Sequence, residues 1–347
     1  MNKIKVLHLI STDVFSGAEN VACQIIKQFE NNEIYDMVYC SKTGPNKERL
    51  DSLEIKVLPI QKFNYSCVKE AVEQYKPNII HGHDIKASII ASMFNKKAKI
   101  ISHVHANHEN MRKLNMKTLL YNLTIKRYSK IIWVSQSALD NFYFVDRVKD
   151  KSIVLYNVID SKALLNNVDK DKNDYKFDLI YLGRLNYQKN PERLIELIEK
   201  TRVLKSDLSV AIIGDGDLKG KIEEMIKEKH LEKNVTLFGF MNNPYKVLSC
   251  SKLMIMTSRY EGTPMCVLEA MAFDKPVIST ITDGLKDIVV NNETGFLSND
   301  DDELSKKIVE ILSDNQKYDK WCKNVANKNN NINNMDKYCE EMRKIYE

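Results

Sequence analysis

The sequence predicts an α/β protein of two doubly wound, Rossmann-like domains. The chain has 347 residues, more than one hydrophobic core normally serves and about right for two domains. Short apolar segments alternate with longer amphipathic ones, which is the pattern of parallel strands joined by helices. This alternation stops at the polar segment 166–176 and then begins again. We therefore expect two domains that face each other across a cleft.

Strands and helices are predicted in regular succession in both halves of the chain. In the first domain, residues 1–165, we expect strands at 4–10, 37–40, 56–60, 79–83, 99–104 and 131–134, and helices at 17–29, 68–75, 86–94 and 117–128. In the second domain, residues 166–325, we expect strands at 178–182, 208–213, 235–238, 252–256 and 276–279, again with helices between them. The linker is expected near 159–176, and the Asn-rich segment 328–334 predicts a loop or helix break. The C-terminal part, 326–347, is expected to pack back toward the first domain through a helix at 335–346.

The composition is that of an ordinary globular protein, with 43% hydrophobic and 29% charged residues. The net charge of +5 does not by itself indicate nucleic acid, and it suits an anionic ligand or membrane surface. The seven cysteines are scattered without a C-x-x-C pair, which predicts a reducing compartment and argues against a disulfide framework or zinc knuckle. We expect no signal peptide, because the N-terminal apolar run is short, stops at Ser11 and lacks a small-residue cleavage site. We expect no transmembrane helix, because no apolar run approaches about 20 residues. These features predict a cytoplasmic protein, soluble or peripheral on the inner face of the plasma membrane.

Doubly wound sheets bind ligands where loops leave the carboxyl ends of strands. The first such loop contains Ser16 and Gly17, and small residues there let backbone N–H groups approach a phosphate or sugar. A plain tight turn is the other interpretation. The G-x-G-x-x-G fingerprint of dinucleotide enzymes is absent from this loop, and the nearest match, from Gly214, has its third glycine one position late. We therefore reject a nicotinamide dinucleotide, and no cofactor is predicted.

Histidine is concentrated in one part of the first domain, where five of the seven fall between positions 81 and 108. Two H-x-H pairs stand at predicted strand ends, and the two-residue period of a strand places both rings of a pair on one face. Converging imidazoles can bind a divalent metal, which makes a metal-dependent hydrolase the alternative function. Polar lining of a cleft is the simpler interpretation. The five are His81, His83, His103, His105 and His108, and only Asp84 and Glu109 lie nearby as oxygen ligands.

Residues 111–130 form a basic stretch without an acidic residue. Apolar residues are interspersed with the cations, so a helix here would be amphipathic. Such a helix can lie on an anionic bilayer surface. A solvated helix face over the core is the simpler interpretation. The stretch runs from Met111 to Lys130, and its cations are Arg112, Lys113, Lys117, Lys126, Arg127 and Lys130.

A glycine and two cations follow the strand predicted at 178–182. Gly183 opens the turn, and Arg184 and Lys189 stand five positions apart before the next helix. Helix N-termini and cationic side chains both attract anions, so this combination suits a diphosphate. A purely structural pair of cations is the alternative.

The segment after the strand at 252–256 combines two carboxylates with a helix start. Thr263 is predicted as the N-cap and Pro264 as the first helical residue. The N–H groups from Met265 to Val267 would then be open to a phosphate. Glu261 precedes the helix and Glu269 lies on it, so one carboxylate can accept hydrogen bonds from sugar hydroxyls and the other from a ribose. Glycoside hydrolysis also uses two carboxylates, but there both flank one bond, whereas here the helix end lies between them.

With these residues, the sequence resembles the family-four retaining glycosyltransferases, which have the GT-B fold. The resemblance covers nearly the whole chain. Its specific part lies in the second domain: a strand, Gly-Arg…Lys, Gly-Asp-Gly, the Glu-x7-Glu segment, and the segments 282–288 and 293–297. The Ser-Gly-Ala-Glu loop and His105 at a strand end also resemble the family. The resemblance implies transfer of a sugar from a nucleotide-diphosphate donor, with retention at the anomeric carbon and without a metal.

The resemblance also implies a role for each site residue. Arg184 and Lys189 would bind the donor diphosphate and neutralise it as it leaves, and His105 would face the sugar and help steady the developing charge. Glu261 would bind the hydroxyls of the transferred sugar, while Glu269 would bind the ribose. The other donor-binding positions are Gly17 beside the phosphate, Phe240 near the base, and Gly183, Gly262, Thr263, Pro264 and Met265.

Some departures from the family pattern bear on the choice of sugar. Ser16 stands where the family often has glycine, and Asp287 where it often has glutamate. One glycine, Gly284, stands where the family often has two. We expect a UDP-linked hexose or N-acetylhexosamine as donor. The Asn-, Lys- and Ile-rich composition, typical of AT-rich bacterial genomes, and the basic stretch lead us to expect a lipid-linked glycan acceptor in surface polysaccharide synthesis. A nucleotide-sugar epimerase of the same fold is a further alternative, which the Glu-x7-Glu segment disfavours.

Overall fold

A computed structural model describes residues 3–105 and 111–347. The chain forms two compact units: unit 1 comprises Met1–Asn157 with Met335–Glu347, and unit 2 comprises Val158–Asn334. Each unit contains one six-stranded sheet whose neighbouring strands are all parallel. The predicted α/β class, with two doubly wound domains, is therefore confirmed.

The elements of unit 1 follow the βα alternation that the sequence predicts. Its strands are β1 (Ile4–Leu9), β2 (Tyr35–Cys40), β3 (Ile79–Gly82), β4 (Lys99–Val104), β5 (Lys130–Trp133) and β6 (Ser152–Val154). Their order across the sheet is β2-β1-β3-β4-β5-β6. Its helices before the unit boundary are α1 (Gly17–Gln28), α2 (Lys47–Ser52), α3 (Tyr65–Tyr75), α4 (Ile85–Ala91), α5 (Met116–Thr124), α6 (Gln136–Asp140) and α7 (Val145–Val148).

The two-residue period of the strands gives the sheet of unit 1 two different faces. One face packs against α3, α4 and α5 through a large hydrophobic cluster, to which Leu7 and Ile80 belong. His8 and His81 alternate with these apolar residues along β1 and β3, and they pair in register. The opposite face of the sheet therefore carries buried imidazoles.

The elements of unit 2 repeat the same plan. Its strands are β7 (Phe177–Leu182), β8 (Val210–Ile213), β9 (Val235–Gly239), β10 (Ser251–Met256), β11 (Val277–Ser279) and β12 (Gly295–Leu297), ordered β12-β11-β10-β7-β8-β9. Its helices are α8 (Ser161–Val168), α9 (Pro191–Leu204), α10 (Lys219–Glu228), α11 (Tyr245–Ser249), α12 (Met265–Ala272), α13 (Asp283–Lys286), α14 (Asp301–Ser313) and α15 (Asn315–Ile332). The last helix, α16 (Met335–Tyr346), belongs to unit 1.

Several local predictions are wrong. Residues 56–60 form only two isolated bridges, Tyr39 with Val57 and Lys42 with Ile60, instead of a strand. The chain passes from unit 1 to unit 2 after Asn157, earlier than residue 165, and α8 occupies the predicted linker. The helix break predicted within 328–334 lies at the end of that segment, because α15 continues to Ile332 and α16 begins at Met335. Only residues 335–347 of the C-terminal part belong to unit 1.

Within the described residues, no helix combines the length and the apolar character that crossing a bilayer requires.

Candidate active site

The strand order of unit 2 creates a place where the winding of the chain changes direction. β8 and β9 lie on one side of β7, whereas β10, β11 and β12 lie on the other. β7 and β10 are parallel neighbours, so the loops that follow them both start at the carboxyl ends of the strands. From there the two loops run toward opposite sides of the sheet. Doubly wound sheets bind ligands in the crevice that forms at such a point. The two loops carry Gly183, Arg184, Lys189, Glu261 and Gly262.

Polar contacts hold the loops after β7 and β10 against each other. The backbone N–H of Arg259 donates to the carbonyl of Gln188 at 2.8 Å, and its guanidinium donates to Asn190 Oδ1 at 2.8 Å. In return, the Gln188 amide donates to the carbonyl of Tyr260 at 3.2 Å. The Arg259 guanidinium also lies over the Tyr187 ring, 4.4 Å from its centroid. These contacts fix the two loops in one arrangement.

Two glycines let neighbouring loops approach the crevice more closely than a side chain would permit. A Cβ atom at Gly284 would lie 1.3 Å from the carbonyl oxygen of Gly262. Gly214 has a φ angle of +149°, and a Cβ atom there would lie 1.9 Å from the carbonyl oxygen of Gly183. The loops after β8 and β11 are therefore packed directly onto the backbone of the loops after β7 and β10.

An ion pair joins the two loops inside the crevice. Lys189 Nζ lies 2.7 Å from Glu261 Oε1, and the two side chains are 14% and 6% exposed. Burial by itself would lower the pKa of Lys189, but the Glu261 carboxylate raises it, and the result is a pKa above 10.5. Lys189 is therefore cationic at neutral pH. The contact places a cation expected to bind phosphate beside a carboxylate expected to bind sugar.

Arg184 differs from Lys189 in its exposure. Its side chain is exposed, and its backbone carbonyl accepts a hydrogen bond from the Tyr181 hydroxyl at 3.0 Å. Its positive charge is close enough to act on Lys189 electrostatically. Gly183 lies beside the Tyr181 hydroxyl and the Lys189 side chain. A Cβ atom at Gly183 would be 3.3 Å from Tyr181 Oη and 3.6 Å from Lys189 Cε. The loop after β7 thus presents one exposed and one buried cation.

The helix α12 begins one residue later than predicted. Pro264 has a ψ angle of 118° and occupies the N-cap, so Met265 is the first helical residue. A ψ angle in the extended range cannot belong to a helix, and the prediction of Thr263 as N-cap and Pro264 in the first turn is wrong by one position. The N–H of Val267 donates to the carbonyl of Pro264 at 3.1 Å, so it is not open to a ligand as expected.

Three charged side chains around the start of α12 act electrostatically on the buried thiol of Cys266. Burial raises the pKa of this thiol to about 12, with Lys189 opposing the shift and Glu261 and Glu269 adding to it. The second carboxylate of the Glu-x7-Glu segment, Glu269, is half-buried in the second turn of α12. The structure therefore brings Lys189, Glu261 and Glu269 together around one helix start, and the thiol between them is uncharged at neutral pH.

Phe240 lies at the same edge of the sheet, directly after β9. Gly239 has a φ angle of +71°, which turns the chain away from the strand. The Phe240 side chain is 68% exposed. An exposed aromatic ring can stack on a flat ligand such as a nucleobase.

In unit 1, the winding changes direction between β1 and β3. Gly17 is the exposed first residue of α1, in the loop that follows β1. The Glu19 side chain is 2% exposed and accepts a hydrogen bond from the backbone N–H of Ser16 at 3.0 Å. Its other oxygen accepts from the hydroxyl of Thr12. Glu19 thereby fixes the shape of the loop that presents Gly17.

The predicted histidine pairs lie together, and a fifth ring joins them. The ring centroids of His81 and His83 are 4.2 Å apart, and those of His103 and His105 are 3.9 Å apart. His8 on β1 stacks on His83 at 5.2 Å. Two sets of three could hold a metal ion: His8 with His81 and His83, and His83 with His103 and His105. The predicted ligands His108 and Glu109 lie outside the described residues.

All five imidazoles are neutral at pH 7. Burial lowers the pKa of His8 and of His105 to about 3. Burial, and then the neighbouring rings, lower the pKa values of His81, His83 and His103 well below 6.5. Neutral imidazoles can bind a metal, and they can equally form hydrogen bonds as one donor and one acceptor each.

Sequence reasoning missed three contributors to these sites. Glu19 was detectable, because the spacing Ser16-x-x-Glu19 is that of a capping box. Asn190 and Gly284 act through contacts between loops that are distant in the chain. No local pattern reveals such contacts.

Comparison with known proteins gives two family matches that meet between the two halves of the chain. Residues 15–163 match Glycosyltransferase Family 4, and residues 165–328 match Glycosyl transferases group 1. An Escherichia coli UDP-Gal:alpha-D-GlcNAc-diphosphoundecaprenol alpha-1,3-galactosyltransferase is 25% identical over 99% of this chain and 97% of its own. A Campylobacter jejuni N-acetylgalactosamine-N,N'-diacetylbacillosaminyl-diphospho-undecaprenol 4-alpha-N-acetylgalactosaminyltransferase is 30% identical over 70% of this chain and 66% of its own.

The fold also has solved counterparts. The crystal structure of Anabaena Alr3699/HepE in complex with UDP-glucose superposes with a TM-score of 0.85 at 19% identity, over 98% of both chains. At this level of identity the likeness concerns the fold, which is GT-B. The two family matches and the paired parallel sheets agree with the resemblance found in the sequence. The chain belongs to glycosyltransferase family 4, whose members are retaining hexosyltransferases.

Proposed function

We propose that this protein transfers a hexose or N-acetylhexosamine from a UDP-linked donor to a lipid-linked glycan in bacterial surface polysaccharide synthesis. The buried pair of Lys189 and Glu261 is the observation that carries the proposal. The pair holds a cation and a carboxylate 2.7 Å apart between the loops that follow β7 and β10. A sugar joined to a diphosphate offers an anion to the cation and hydroxyl donors to the carboxylate.

In this proposal, the donor lies along the loops of unit 2. Lys189 and Arg184 bind the diphosphate, Glu261 accepts hydrogen bonds from the sugar, and Glu269 accepts from the ribose. The exposed ring of Phe240 lies near the base. The family resemblance further assigns the phosphate to Gly17 and the sugar to His105.

The side chains of the site supply the charge stabilisation that the reaction needs. The bond from the anomeric carbon to the diphosphate breaks, and the bond to the acceptor oxygen forms on the same face. The acceptor proton passes to an oxygen of the leaving phosphate. Negative charge grows on that diphosphate, so Lys189 and Arg184 stabilise the transition state more than the ground state. No metal is required in this scheme.

Thermal melting with a panel of UDP-, GDP-, ADP- and TDP-sugars, with EDTA throughout, tests the donor. A ligand of the native state raises the melting temperature by mass action, so one selective UDP-sugar should stabilise the protein. Lys189→Ala should abolish this stabilisation. Lys200→Ala is the matched control, because Lys200 forms an exposed ion pair of 2.7 Å with Asp302 in the same unit. Equal stabilisation of both variants would refute the assigned role of Lys189.

The same samples separate the transferase from the two alternatives. A hydrolase at the histidine cluster would retain a stoichiometric metal in elemental analysis and lose stability with EDTA. An epimerase would convert a UDP-sugar without any acceptor. A transferase would release UDP faster only when an acceptor is present.

The proposed lipid-linked acceptor is supported by two relatives and by the surface of α5. Both the Escherichia coli and the Campylobacter jejuni relative are named for acceptors linked to diphosphoundecaprenol. The basic stretch 111–130 exposes five large apolar side chains among its cations. A solvated polar face would not carry so many, whereas a bilayer would cover them and attract the cations. They are Leu114, Met116, Leu119, Leu120 and Leu123, between 41% and 71% exposed.

Flotation with liposomes tests the membrane surface. The protein should float with vesicles that contain phosphatidylglycerol and float less with neutral vesicles. Leu123→Ser, at a side chain 67% exposed, should reduce flotation, whereas Leu204→Ser, 52% exposed in unit 2, should not. The membrane assignment is wrong if neither the anionic charge of the vesicles nor the Leu123→Ser substitution changes flotation.

A further inference from the structure

Three imidazoles in unit 1 form one continuous hydrogen-bonded chain. His105 Nε2 lies 3.0 Å from His83 Nδ1, and His83 Nε2 lies 2.9 Å from His8 Nδ1. The chain ends where His8 Nε2 lies 3.4 Å from the sulfur of Met37. Each ring nitrogen in the series faces the next, so the tautomer of one ring decides the tautomer of its neighbour.

The thioether at the end sets the direction of the whole chain. Sulfur in methionine can only accept a hydrogen bond, so His8 must donate to it from Nε2. A neutral ring carries one N–H, and His8 Nδ1 is therefore an acceptor, which makes His83 the donor from its Nε2. By the same step His83 Nδ1 accepts, and His105 donates from its Nε2. The second nitrogen of His105, Nδ1, is left as a lone pair.

In the part of the chain that the structure describes, this lone pair has no hydrogen-bond partner. His105 Nδ1 makes no hydrogen bond within the described residues, although the ring is partly exposed. The rings cannot escape the constraint by taking a second proton, because burial keeps the pKa of His105 and of His8 at about 3. An unpaired buried acceptor is unfavourable unless a ligand donates to it.

We propose that Met37, His8 and His83 are positioning residues, which hold the proton of His105 on Nε2 so that Nδ1 accepts a hydrogen bond from a hydroxyl of the substrate. The assignment of the substrate rests on the proposed function. The tautomer itself does not, since it follows from hydrogen-bond geometry alone. His105 then acts as a neutral acceptor.

A metal ion is the competing explanation for these rings, because His83, His103 and His105 could hold one. Neither ring nitrogen of His103 has a hydrogen-bond partner within the described residues, so one of them could bind a metal. Both candidate sets of ligands include His83, however, and both ring nitrogens of His83 already take part in the hydrogen-bonded chain from His105 to His8. The observations therefore favour the hydrogen-bonded chain.

Met37→Leu tests the proposal at the far end of the chain. This substitution conserves volume, and such changes are generally tolerated in cores. It removes the acceptor of His8, which frees all three rings to reverse direction and lets the proton of His105 occupy Nδ1 as well as Nε2. Labelling of the histidine rings with ¹⁵N reports the tautomer by NMR, and we expect the ratio at His105 to change about tenfold, the equivalent of one hydrogen bond. The kcat/KM for the UDP-sugar should then fall about twofold, because loss of a tenfold preference leaves about half of the molecules with the productive tautomer.

One control variant makes the test specific. Tyr346→Phe is the matched control, because its hydroxyl lies 3.0 Å from His81 Nδ1, in the same cluster but outside the chain. It should leave the His105 tautomer unchanged.

The outcomes separate the proposal from the function on which it rests. An unchanged His105 tautomer in Met37→Leu, or stoichiometric zinc in protein purified without chelator, would overturn the proposal. A changed tautomer ratio with an unchanged transfer rate would overturn the role of the lone pair in substrate binding. Absence of transfer by the unaltered protein with every nucleotide sugar would refute the proposed function, and the NMR result would still decide the tautomer.

Discussion

Replacement of Lys189 by methionine removes one member of the buried pair and leaves the other. Glu261 is then without its cationic partner, in a place where its side chain is 6% exposed. Loss of one partner of a buried ion pair costs about 3–5 kcal/mol, and because Lys189 is 14% exposed we take the lower end, about 3 kcal/mol. For a unit of this size, 1 kcal/mol shifts the melting temperature by about 2–4 °C, so unit 2 should melt about 6–12 °C lower.

The double variant Lys189→Met/Glu261→Gln separates stability from chemistry. It removes both charges, so no carboxylate is left buried and unpaired, and most of the lost melting temperature should return. Transfer should not return, because the cation that neutralises the leaving diphosphate is still absent. Loss of one such group costs about 10²–10³-fold in kcat.

Calorimetry of the unaltered protein and the two variants, with UDP release as the rate assay, gives both quantities. The reasoning is refuted if Lys189→Met keeps the melting temperature and rate of the unaltered protein. It is also refuted if the double variant recovers rate and stability together, since Lys189 would then serve only to neutralise Glu261.

Two other predictions follow from close packing and from burial. In thermal-shift measurements, Gly284→Ala should abolish stabilisation by the UDP-sugar, because its Cβ atom would meet the Gly262 carbonyl at 1.3 Å. Gly220→Ala is the control: it has open space on α10 and should preserve that stabilisation. Unit 1 should lose stability as pH falls below 6.5, because His8 and His105, with pKa values of about 3, bind fewer protons folded than unfolded. Each ring lowers the free energy of unfolding by about 1.4 kcal/mol per pH unit over this range. Melting temperatures between pH 7 and 4 measure the loss, and a melting temperature that does not change with pH would contradict neutral imidazoles in the cluster.

Much of the fold could be predicted because buried parallel strands are short apolar runs with polar boundaries. The strand at Lys99–Val104 matches its prediction, and other strand ends differ by one or two residues. The failures have a physical cause. Residues 56–60 are apolar like a strand, yet the sheet offers them only two bridging partners. The Asn-rich end of α15 has low helix propensity, and residues such as Trp321 and Val325 bury the helix enough to override it.

The site residues could be located from the sequence because catalytic loops follow strands of a parallel sheet. Lys189 and Glu261 were identified in this way, each from its own segment. Their contact was not predictable, because it joins residues 72 positions apart. It depends on the crossing of the chain from β9 to β10, which places β10 next to β7.

The contact between Lys189 and Glu261 leads to one more prediction, with opposite signs for binding and for transfer. Before a donor binds, the Glu261 carboxylate lies 2.7 Å from the Lys189 ammonium. It therefore neutralises part of the positive field that Lys189 presents to a diphosphate. Glu261→Gln removes that competition, so UDP, which carries no sugar, should bind more tightly. A UDP-sugar should nevertheless be transferred more slowly, because glutamine is a weaker acceptor for the sugar hydroxyls.

Titration calorimetry with UDP and steady-state rates with the UDP-sugar measure the two effects on the same Glu261→Gln sample. At an effective dielectric constant of about 20, charges 4 Å apart interact by about 4 kcal/mol, most of which solvent and the remaining polar groups offset. We therefore expect UDP affinity to rise by about tenfold, equivalent to 1.4 kcal/mol. If UDP affinity and transfer fall together, Glu261 contributes to the binding of the nucleotide itself, and the division of labour between the two side chains is wrong.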